Sequence, residues 1–315
     1  MLLTLLPAGW GFSGWPILLQ LVSFPMAFGI ALAVIALILG IRAGRWPGRH
    51  RWVRLIAAAL IAIVGVTQIC TVVWRGWWSP GSTPQPGDVT VVSFNAAGIE
   101  PLPTELLGLI TTYRPQVVSL PETTRDMADR LAGSARESGL DYQVFSAPTL
   151  SSPPSMTSLL VARSFGAYRI DRTVSLTRGV VRVTPETGSG PVIVAVHPTS
   201  PAVIGIHASS WRNAGRTAVE QCTDTPGAIV AGDFNANLAH PQFDALGRCG
   251  DAAAAVRRSG EGTWPAWVPA PFASAIDHVL VDSDSWQVID FSTRQVGQSD
   301  HRLVRATIRA LPNRS

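Results

Sequence analysis

The stretch Ile229-Val-Ala-Gly232-Asp233-Phe234-Asn235 shows how the chain is built, because a short apolar strand runs directly into two polar side chains. Other apolar runs of the chain also meet a polar residue at one end, and these residues are Asn95, Glu122, His197, Asp277 and His301. Ligand sites of open α/β sheets lie at strand ends. We therefore expect polar side chains that are far apart in the sequence to converge on one site.

Short apolar runs alternate with helical or loop segments along residues 88–312, and no second linker interrupts this stretch. Strands are predicted at Val89–Phe94, Gln116–Leu120, Ser158–Ala162, Val180–Val183, Val192–Val196, Ala228–Ala231, Ile276–Val281 and Leu303–Ile308. Helices are predicted at Pro103–Tyr113, Thr124–Ser138, Ser209–Gln221 and Pro241–Leu246. Strands interleaved with helices that cover the sheet faces predict an α/β domain.

The first quarter of the chain has a different composition. Charged residues make up only 15% of all 315 residues, against about 25% in soluble domains, and none lies between Met1 and Ile41. Residues 17–41 and 55–74 are apolar runs long enough to cross the ~30 Å bilayer core as helices. We predict a membrane anchor over residues 1–78 with two transmembrane helices. A cleaved signal peptide is the alternative, but it requires a basic N-terminal region and a shorter apolar run.

The segment between the two predicted helices indicates their orientation. It carries five arginines, which are Arg42, Arg45, Arg49, Arg51 and Arg54. Basic clusters of this kind are typical of cytoplasmic loops, so we predict a multi-pass protein of the cell membrane whose main domain lies outside the cytoplasm. Residues 79–87 form a Pro/Gly/Ser linker, which predicts a stiff tether of at most about 30 Å.

The spacing of three motifs is specific when they are taken together. Gly232-Asp233-Phe234-Asn235 is followed about 65 residues later by Ser299-Asp300-His301, and Thr263-Trp264-Pro265 precedes Ile276-Asp277-His278. Over roughly residues 88–310 this set resembles the endonuclease/exonuclease/phosphatase superfamily, and the Trp264 motif resembles its bacterial members. The resemblance implies a two-sheet, four-layer α/β sandwich and divalent-metal-dependent hydrolysis of a phosphoester.

Three of the polar residues are candidate metal ligands. Mg²⁺ prefers oxygen ligands and is often held by one or two carboxylates, and Mn²⁺ is an alternative ion. We expect Glu122 to be the main ligand, with Asn95 beside it. The resemblance implies that Asp300 completes the site.

The remaining residues are assigned catalytic roles by the same resemblance. His301 would be the general base, since a neutral imidazole near pH 7 suits proton abstraction from water. Asp277 would fix its tautomer, and Asp233 would orient the nucleophile. Asn235 would hold a phosphate oxygen, and His197 would stabilise the charge of the transition state. One departure concerns His197, which Pro198 follows here where relatives often have Leu. Alternation along the strand predicts that His278 points away from Asp277 and is structural.

The distribution of charge along the chain indicates which class of substrate is favoured. The net charge of the whole chain is +4. Residues 1–80 contain six arginines and no Asp or Glu, so the net charge of the remaining residues is −2. Nucleic-acid affinity depends largely on basic side chains, and the candidates for a basic patch are Arg212, Arg216, Arg257 and Arg258. We therefore favour a membrane or envelope phosphoester, such as a lipid-linked phosphate, over nucleic acid. An extracellular nuclease and a catalytically silent binding module of the same fold are the alternatives.

The cysteines of the main domain could form a disulfide if that domain lies outside the cytoplasm. Cys222 and Cys249 are the cysteines of the main domain, and outside the cytoplasm they can form a disulfide. The sequence leaves open whether they are bridged and whether the substrate is a monoester or a diester. It predicts contact with the lipid bilayer and no protein partner.

Overall fold

The computed structural model describes residues 22–45, 48, 50–77, 80–100, 102–147, 156–176, 179–188, 190–201 and 208–312. Two long helices come first, α1 (Pro25–Arg45) and α2 (Arg51–Arg75). The strands are β1 (Val89–Ser93), β2 (Val117–Pro121), β3 (Tyr142–Ser146), β4 (Thr157–Ala162), β5 (Tyr168–Asp171), β6 (Val180–Pro185), β7 (Ile193–Val196), β8 (Ile229–Asp233), β9 (Cys249–Asp251), β10 (Asp277–Asp282), β11 (Trp286–Gln295) and β12 (Arg302–Ala310). The remaining α-helices are α3 (Thr104–Tyr113), α4 (Arg125–Glu137), α5 (Ala208–Thr223) and α6 (Ala252–Ala255).

The strands form two six-stranded sheets, ordered β11-β12-β1-β2-β4-β3 and β5-β6-β7-β8-β10-β9. All eight predicted strands are present, and the four strands that the sequence did not indicate are the four edge strands, β11, β3, β5 and β9. The prediction relied on runs that are apolar on both faces, as central strands are. The predicted helix Pro241–Leu246 is wrong, because only a 3₁₀ turn forms there, at Pro241–Phe243.

Alternate residues of the central strands face opposite layers. Val91 and Val117 pack into the core between the two sheets, whereas their neighbours Val92 and Val118 pack against α3 and α4. On the other side of the second sheet, Val230 packs in a cluster with residues of α5. The layers are therefore helices, sheet, sheet and helix, which confirms the predicted four-layer α/β sandwich.

Strand direction gathers the polar residues at one edge of this sandwich. β1 and β2 are parallel, as are β7 and β8, so each pair ends on the same side. β10 runs antiparallel to β8, which places Asp277 beside Asp233. β12 runs antiparallel to β1, so its first residues lie beside the end of β1.

Helices α1 and α2 form a close hairpin. A Cβ atom on Gly29 would lie 2.8 Å from the carbonyl oxygen of Gly65, and one on Gly65 would lie 2.7 Å from that of Gly29, so glycine is required on both helices. Both helices are long and apolar enough to cross a membrane. Their outer faces expose large apolar side chains, including Leu37 and Leu60. The predicted start near residue 17 lies outside the described residues.

The hairpin contacts the domain directly. The side-chain amide of Asn237 donates to the carbonyl oxygen of Val22 at 3.0 Å, and the Gly260 N–H donates to that of Gly76 at 2.9 Å. The Arg257 guanidinium lies 4.6 Å from the centroid of the Trp74 ring. The predicted linker is also in contact with the domain, since the Ser82 N–H donates to Ile289. The described part of the linker, residues 80–87, is exposed, and this hydrogen bond ties it to the domain at Ser82.

Cys222 and Cys249 form a disulfide, with their Cα atoms 6.1 Å apart. The bridge joins the last turn of α5 to the edge strand β9. Cys70 is a free thiol on the exposed face of α2.

Candidate active site

An Asp–His pair forms the buried end of the site. Nδ1 of His301 lies 2.9 Å from Oδ2 of Asp277, and the Asp277 side chain is completely buried. Because a carboxylate only accepts hydrogen bonds, His301 carries a proton on Nδ1 and turns Nε2 toward Asp233, 3.8 Å from Oδ2. That separation is too long for a direct hydrogen bond, and a water molecule could contact both groups.

Asp233 lies at the centre of the site. Its Oδ2 accepts a hydrogen bond from the Asn95 amide at 3.0 Å, and the same oxygen is 3.6 Å from Nε2 of His197. Glu122 approaches the same two donors, because its Oε1 lies 3.5 Å from the Asn95 nitrogen and 3.6 Å from Nε2 of His197. The structure therefore brings residues from the ends of β1, β2, β7 and β8 into one cluster.

Two of these side chains depend on unusual backbone conformations. Glu122 has φ +53° and Asn235 has φ +51°, in the left-handed region where a non-glycine residue costs about 1–3 kcal/mol. Asn235 is held there by two hydrogen bonds, from its N–H to Asp233 Oδ1 at 2.8 Å and from its amide to the carbonyl of Pro198 at 3.1 Å. Strain of this kind clusters at functional sites.

Gly232 is required by the neighbouring strand. A Cβ atom at this position would lie 1.9 Å from the carbonyl oxygen of Val196, with which Gly232 pairs across β7 and β8. The close approach of these two strands brings His197 and Asp233, the residues that follow Val196 and Gly232, to the same level.

Asp300 forms the outer wall together with Trp264. The indole Nε1–H of Trp264 donates to Asp300 Oδ2 at 2.9 Å, and the Ala266 N–H donates to the Asp300 carbonyl at 2.7 Å. Ser299 has a positioning role that the sequence did not indicate, because its hydroxyl donates to the Asn95 carbonyl at 2.7 Å and accepts from the His301 N–H at 3.1 Å. The signal was present, since Ser299 belongs to the motif that contains Asp300 and His301.

The carboxylates control the protonation of His301. Burial by itself lowers the pKa of the ring, but Asp277, Asp233 and Asp300 favour the charged form and together raise the pKa to about 10. A hydrogen bond to Asp277 adds to the increase. In the absence of a cation the ring is therefore protonated at neutral pH.

The chemistry of the donor set fits a divalent cation. Four carboxylates gather here, those of Glu122, Asp233, Asp277 and Asp300, and the partners described above offer at most two positive charges, on His197 and His301. Oxygen-rich, negatively charged sites suit Mg²⁺ and related ions. In addition, Asp277 Oδ1 is buried without a hydrogen-bond partner among the described residues.

Accessibility distinguishes the carboxylates. The side chain of Glu122 is 15% exposed, whereas those of Asp233 and Asp277 are 2% and 0% exposed. Ligand atoms of Asp233, Asp277 and His301 lie within 4.8 Å of one another, but the hydrogen bond within the Asp277–His301 pair occupies two of these groups. Glu122 is therefore the better placed for an ion that enters from solvent. The Asn95 amide nitrogen, rather than its oxygen, faces the two carboxylates, while Oδ1 accepts from the Ala97 N–H at 2.8 Å.

His278 belongs to a second Asp–His pair outside the site, as strand alternation predicts. Its Nδ1 lies 2.8 Å from Asp251 Oδ2, and its Nε2 lies 2.9 Å from the carbonyl oxygen of Ala236. Since both partners are acceptors, both ring nitrogens carry protons. Burial opposes this charge, but Asp251 outweighs it and the pKa of His278 is raised. The ring packs against Phe234 and Phe243, which indicates a structural role.

Comparisons with known proteins agree with this geometry. The sequence model of the Endonuclease/Exonuclease/phosphatase family matches residues 92–301. No curated protein sequence matches the chain.

Solved structures share the fold. D. rerio TDP2 complexed with a single strand DNA product has a TM-score of 0.54 and 17% sequence identity, covering 70% of this chain and 98% of that one. An endonuclease/exonuclease/phosphatase from Bacteroides vulgatus has a TM-score of 0.51 and 14% identity, covering 71% and 99%. At these identities the similarity concerns the fold.

Proposed function

The chain belongs to the Endonuclease/Exonuclease/phosphatase family, and from this premise we propose that it is a membrane-tethered, divalent-metal-dependent phosphoester hydrolase that acts outside the cytoplasm. The observation that carries the proposal is the convergence of Glu122, Asp233 and His197 with the Asp277–His301 pair at one edge of the sandwich.

The proposed reaction is an attack of water on phosphorus. The water lies between His301 Nε2 and Asp233 Oδ2, which are 3.8 Å apart. Its oxygen forms the new P–O bond while the P–O bond to the leaving group breaks, and its proton passes to Nε2 of the neutral ring. The alkoxide that leaves takes up a proton from solvent, and the imidazolium returns its proton to solvent. The proton that His301 already carries on Nδ1 stays hydrogen-bonded to Asp277, whose negative charge stabilises the imidazolium that forms. His197 and Asn235 are placed to hydrogen-bond to phosphate oxygens whose charge grows in the transition state.

Glu122 and Asp300 would hold the cation, with Asn95 positioning the Glu122 carboxylate. Both carboxylates lie at the accessible side of the cluster, since Glu122 is partly exposed and Asp300 is of intermediate exposure. A bound divalent cation would neutralise charge on the phosphate and lower the pKa of His301, whose rise depends on the surrounding carboxylates. Mg²⁺ is the expected ion, and Mn²⁺ shares its preference for oxygen ligands.

The location rests on three observations. Helices α1 and α2 expose apolar side chains such as Leu37 and Leu60, which lipid would cover. Arg42 and Arg45 lie in the last turn of α1, and Arg51 begins α2, so basic residues flank the connection between the helices, as expected for a cytoplasmic loop. The Cys222–Cys249 disulfide is compatible with an oxidising compartment.

Membrane lipid is the favoured source of the substrate, in the form of a lipid-linked phosphoester. Two of the four arginines that could have formed a nucleic-acid patch have other partners. Arg257 stacks on Trp74, while Arg258 bonds to Glu261 and to the Phe291 carbonyl. With a domain charge of −2, little electrostatic attraction is left for a nucleic acid.

A substrate panel tests the proposal. The full chain in detergent with Mg²⁺ is incubated with polyprenyl phosphates, phospholipids, sphingomyelin, inositol phosphates, plasmid DNA and RNA, and phosphate or alcohol release is measured. We expect turnover of a lipid phosphoester and a decrease of about 10²–10⁴-fold in His301→Ala. Efficient DNA cleavage without lipid turnover would assign the chain to the nucleases, and wild-type turnover by His301→Ala would refute the mechanism.

A further inference from the structure

The segment 262–276 carries an apolar surface that the proposed reaction does not use. It contains no charged residue. Within the described ranges, the large apolar side chains that are exposed outside α1 and α2 are Trp267, 69% exposed, and Phe272, 39% exposed. Both belong to this one segment. Isolated exposed apolar residues are normal on protein surfaces, but here an uncharged segment presents two aromatic rings.

This segment lies beside the ends of the helical hairpin. The Phe24 and Trp264 rings are 6.0 Å apart between centroids, and a cavity is lined by Ser23 and Pro25 on one side and by Pro271 on the other. The end of α2, at the same open end of the hairpin, is close as well, because Gly260 donates to the Gly76 carbonyl. These helix ends are the ones remote from the arginine-rich turn. The segment therefore lies at the level where the helices would leave the bilayer.

Hydrogen bonds on the buried side of the segment fix its backbone in place. The buried Arg302 guanidinium donates to the carbonyl oxygens of Gly262 at 2.7 Å and Ala266 at 2.8 Å. The Ser274 N–H donates to the Trp264 carbonyl at 2.6 Å. Trp267 is thus exposed on an ordered support and not on a free loop. An exposed Trp fixed in this manner suits the membrane interface, where its ring can be partly buried while its N–H stays hydrated.

We propose that residues 264–272, defined here as the aromatic segment, are a second membrane contact that inserts Trp267 and Phe272 into the outer interface of the bilayer. The occupant is lipid, since the surface continues from the ends of α1 and α2. Trp264 in the same segment donates to Asp300, so insertion brings the rim of the active site to the depth of the lipid headgroups. The inference rests on the membrane tethering of the proposed function and adds the orientation of the site toward the bilayer.

Depth measurements on the full chain test this contact. Spin labels are attached at Trp267→Cys, Phe272→Cys, Leu60→Cys or Ser134→Cys, each in a Cys70→Ala background, in nanodiscs of phosphatidylethanolamine and phosphatidylglycerol. Collision rates with oxygen and with a nickel chelate give the depth. We expect labels at 267 and 272 to lie on the order of 5–10 Å inside the boundary, the label at 60 in the hydrocarbon core, and the label at 134, on the exposed face of α4, in water. If the label at position 267 is as accessible to water as the label at 134, while the label at 60 lies in the hydrocarbon core, the proposed contact is refuted. The membrane tethering by α1 and α2 would still stand.

An activity measurement separates this inference from the proposed function. Trp267→Ser should lower hydrolysis of a phosphoester embedded in the bilayer on the order of tenfold, and should leave hydrolysis of a short-chain, soluble phosphoester unchanged. Equal losses on both substrates would place Trp267 in the active site and refute the membrane contact. If neither substrate is hydrolysed by the wild type, the proposed activity fails, while the depths at 267 and 272 still decide the contact.

Discussion

Replacing Asp277 by Asn tests the assignment of His301 as the general base. The carboxylate lies 2.9 Å from Nδ1 of His301, and Asp277 contributes most among the groups that raise the pKa of that ring against the effect of burial. The increase from 6.5 to about 10 corresponds to about 5 kcal/mol, at about 1.4 kcal/mol per tenfold change in acidity. The substitution also turns a charge-assisted hydrogen bond into a neutral one, worth about half as much.

Two results are expected from Asp277→Asn. In the metal-free protein the pKa of His301 falls clearly below 10. With Mg²⁺ and the lipid phosphoester proposed above as substrate, turnover at pH 7 should fall about 10²–10⁴-fold, because an Asn amide that donates to Nδ1 moves the ring proton to Nε2, where it blocks proton abstraction from water. The raised pKa of His301 also determines how the stability of the fold changes with pH. Since the folded-state pKa is raised, the stabilisation by charged His301 is fully present below about pH 6.5 and is lost as the pH rises through about 10.

The assay is NMR titration of the histidine rings in the full chain in detergent, together with turnover measured against pH. His301→Ala identifies the His301 signal. Asp251→Asn is a matched control, because it removes the charge from the other buried Asp–His pair and retains the oxygen that accepts the Ala254 N–H at 2.8 Å. It should leave the His301 titration in place. An Asp277→Asn protein that turns over at the wild-type rate, with His301 still titrating near 10, would show that the pair does not act in catalysis.

Three other predictions concern the cation, the topology and the disulfide. Glu122→Gln should weaken Mn²⁺ binding, measured by electron paramagnetic resonance on the full chain, at least about tenfold, and unchanged affinity would remove Glu122 from the ligand set. Reporter fusions after residue 85 and within residues 43–53 should report opposite compartments, and an active cytoplasmic reporter after residue 85 would reverse the proposed orientation. Thiol labelling of exported, non-reduced protein should modify Cys70 alone, and two labelled thiols in the domain would exclude the bridge. Replacing both Cys222 and Cys249 by Ser should lower the free energy of unfolding by about 3–4 kcal/mol in the chain-entropy model.

The sequence was sufficient to predict the central strands and the residues at their ends. Strands such as β1 and β8 are buried on both faces, so their apolar runs stand out and their polar ends are clear. The edge strands were not found, because β11, for example, presents Gln287 and Arg294 to solvent and resembles a polar loop.

Contacts between distant segments lay outside what the sequence could indicate. The bond from Trp264 to Asp300 and the packing of Asn237 on the start of the hairpin depend on how loops fold back on the sheet. The positive φ of Glu122 has no sequence signal either, because neither glycine nor Asn, the usual markers of that conformation, stands at that position.

The direct packing of the hairpin on the domain has a kinetic consequence. Because Asn237 and Gly260 hold the helix ends, an enzyme with the membrane anchor proposed above would have almost no reach along the membrane normal and would meet its substrate by lateral diffusion. Its rate would then follow the mole fraction of substrate in the lipid rather than its amount per volume of solution. Dilution with inert lipid at constant total substrate would slow such an enzyme, whereas an enzyme on a long flexible arm would sample the aqueous phase as well.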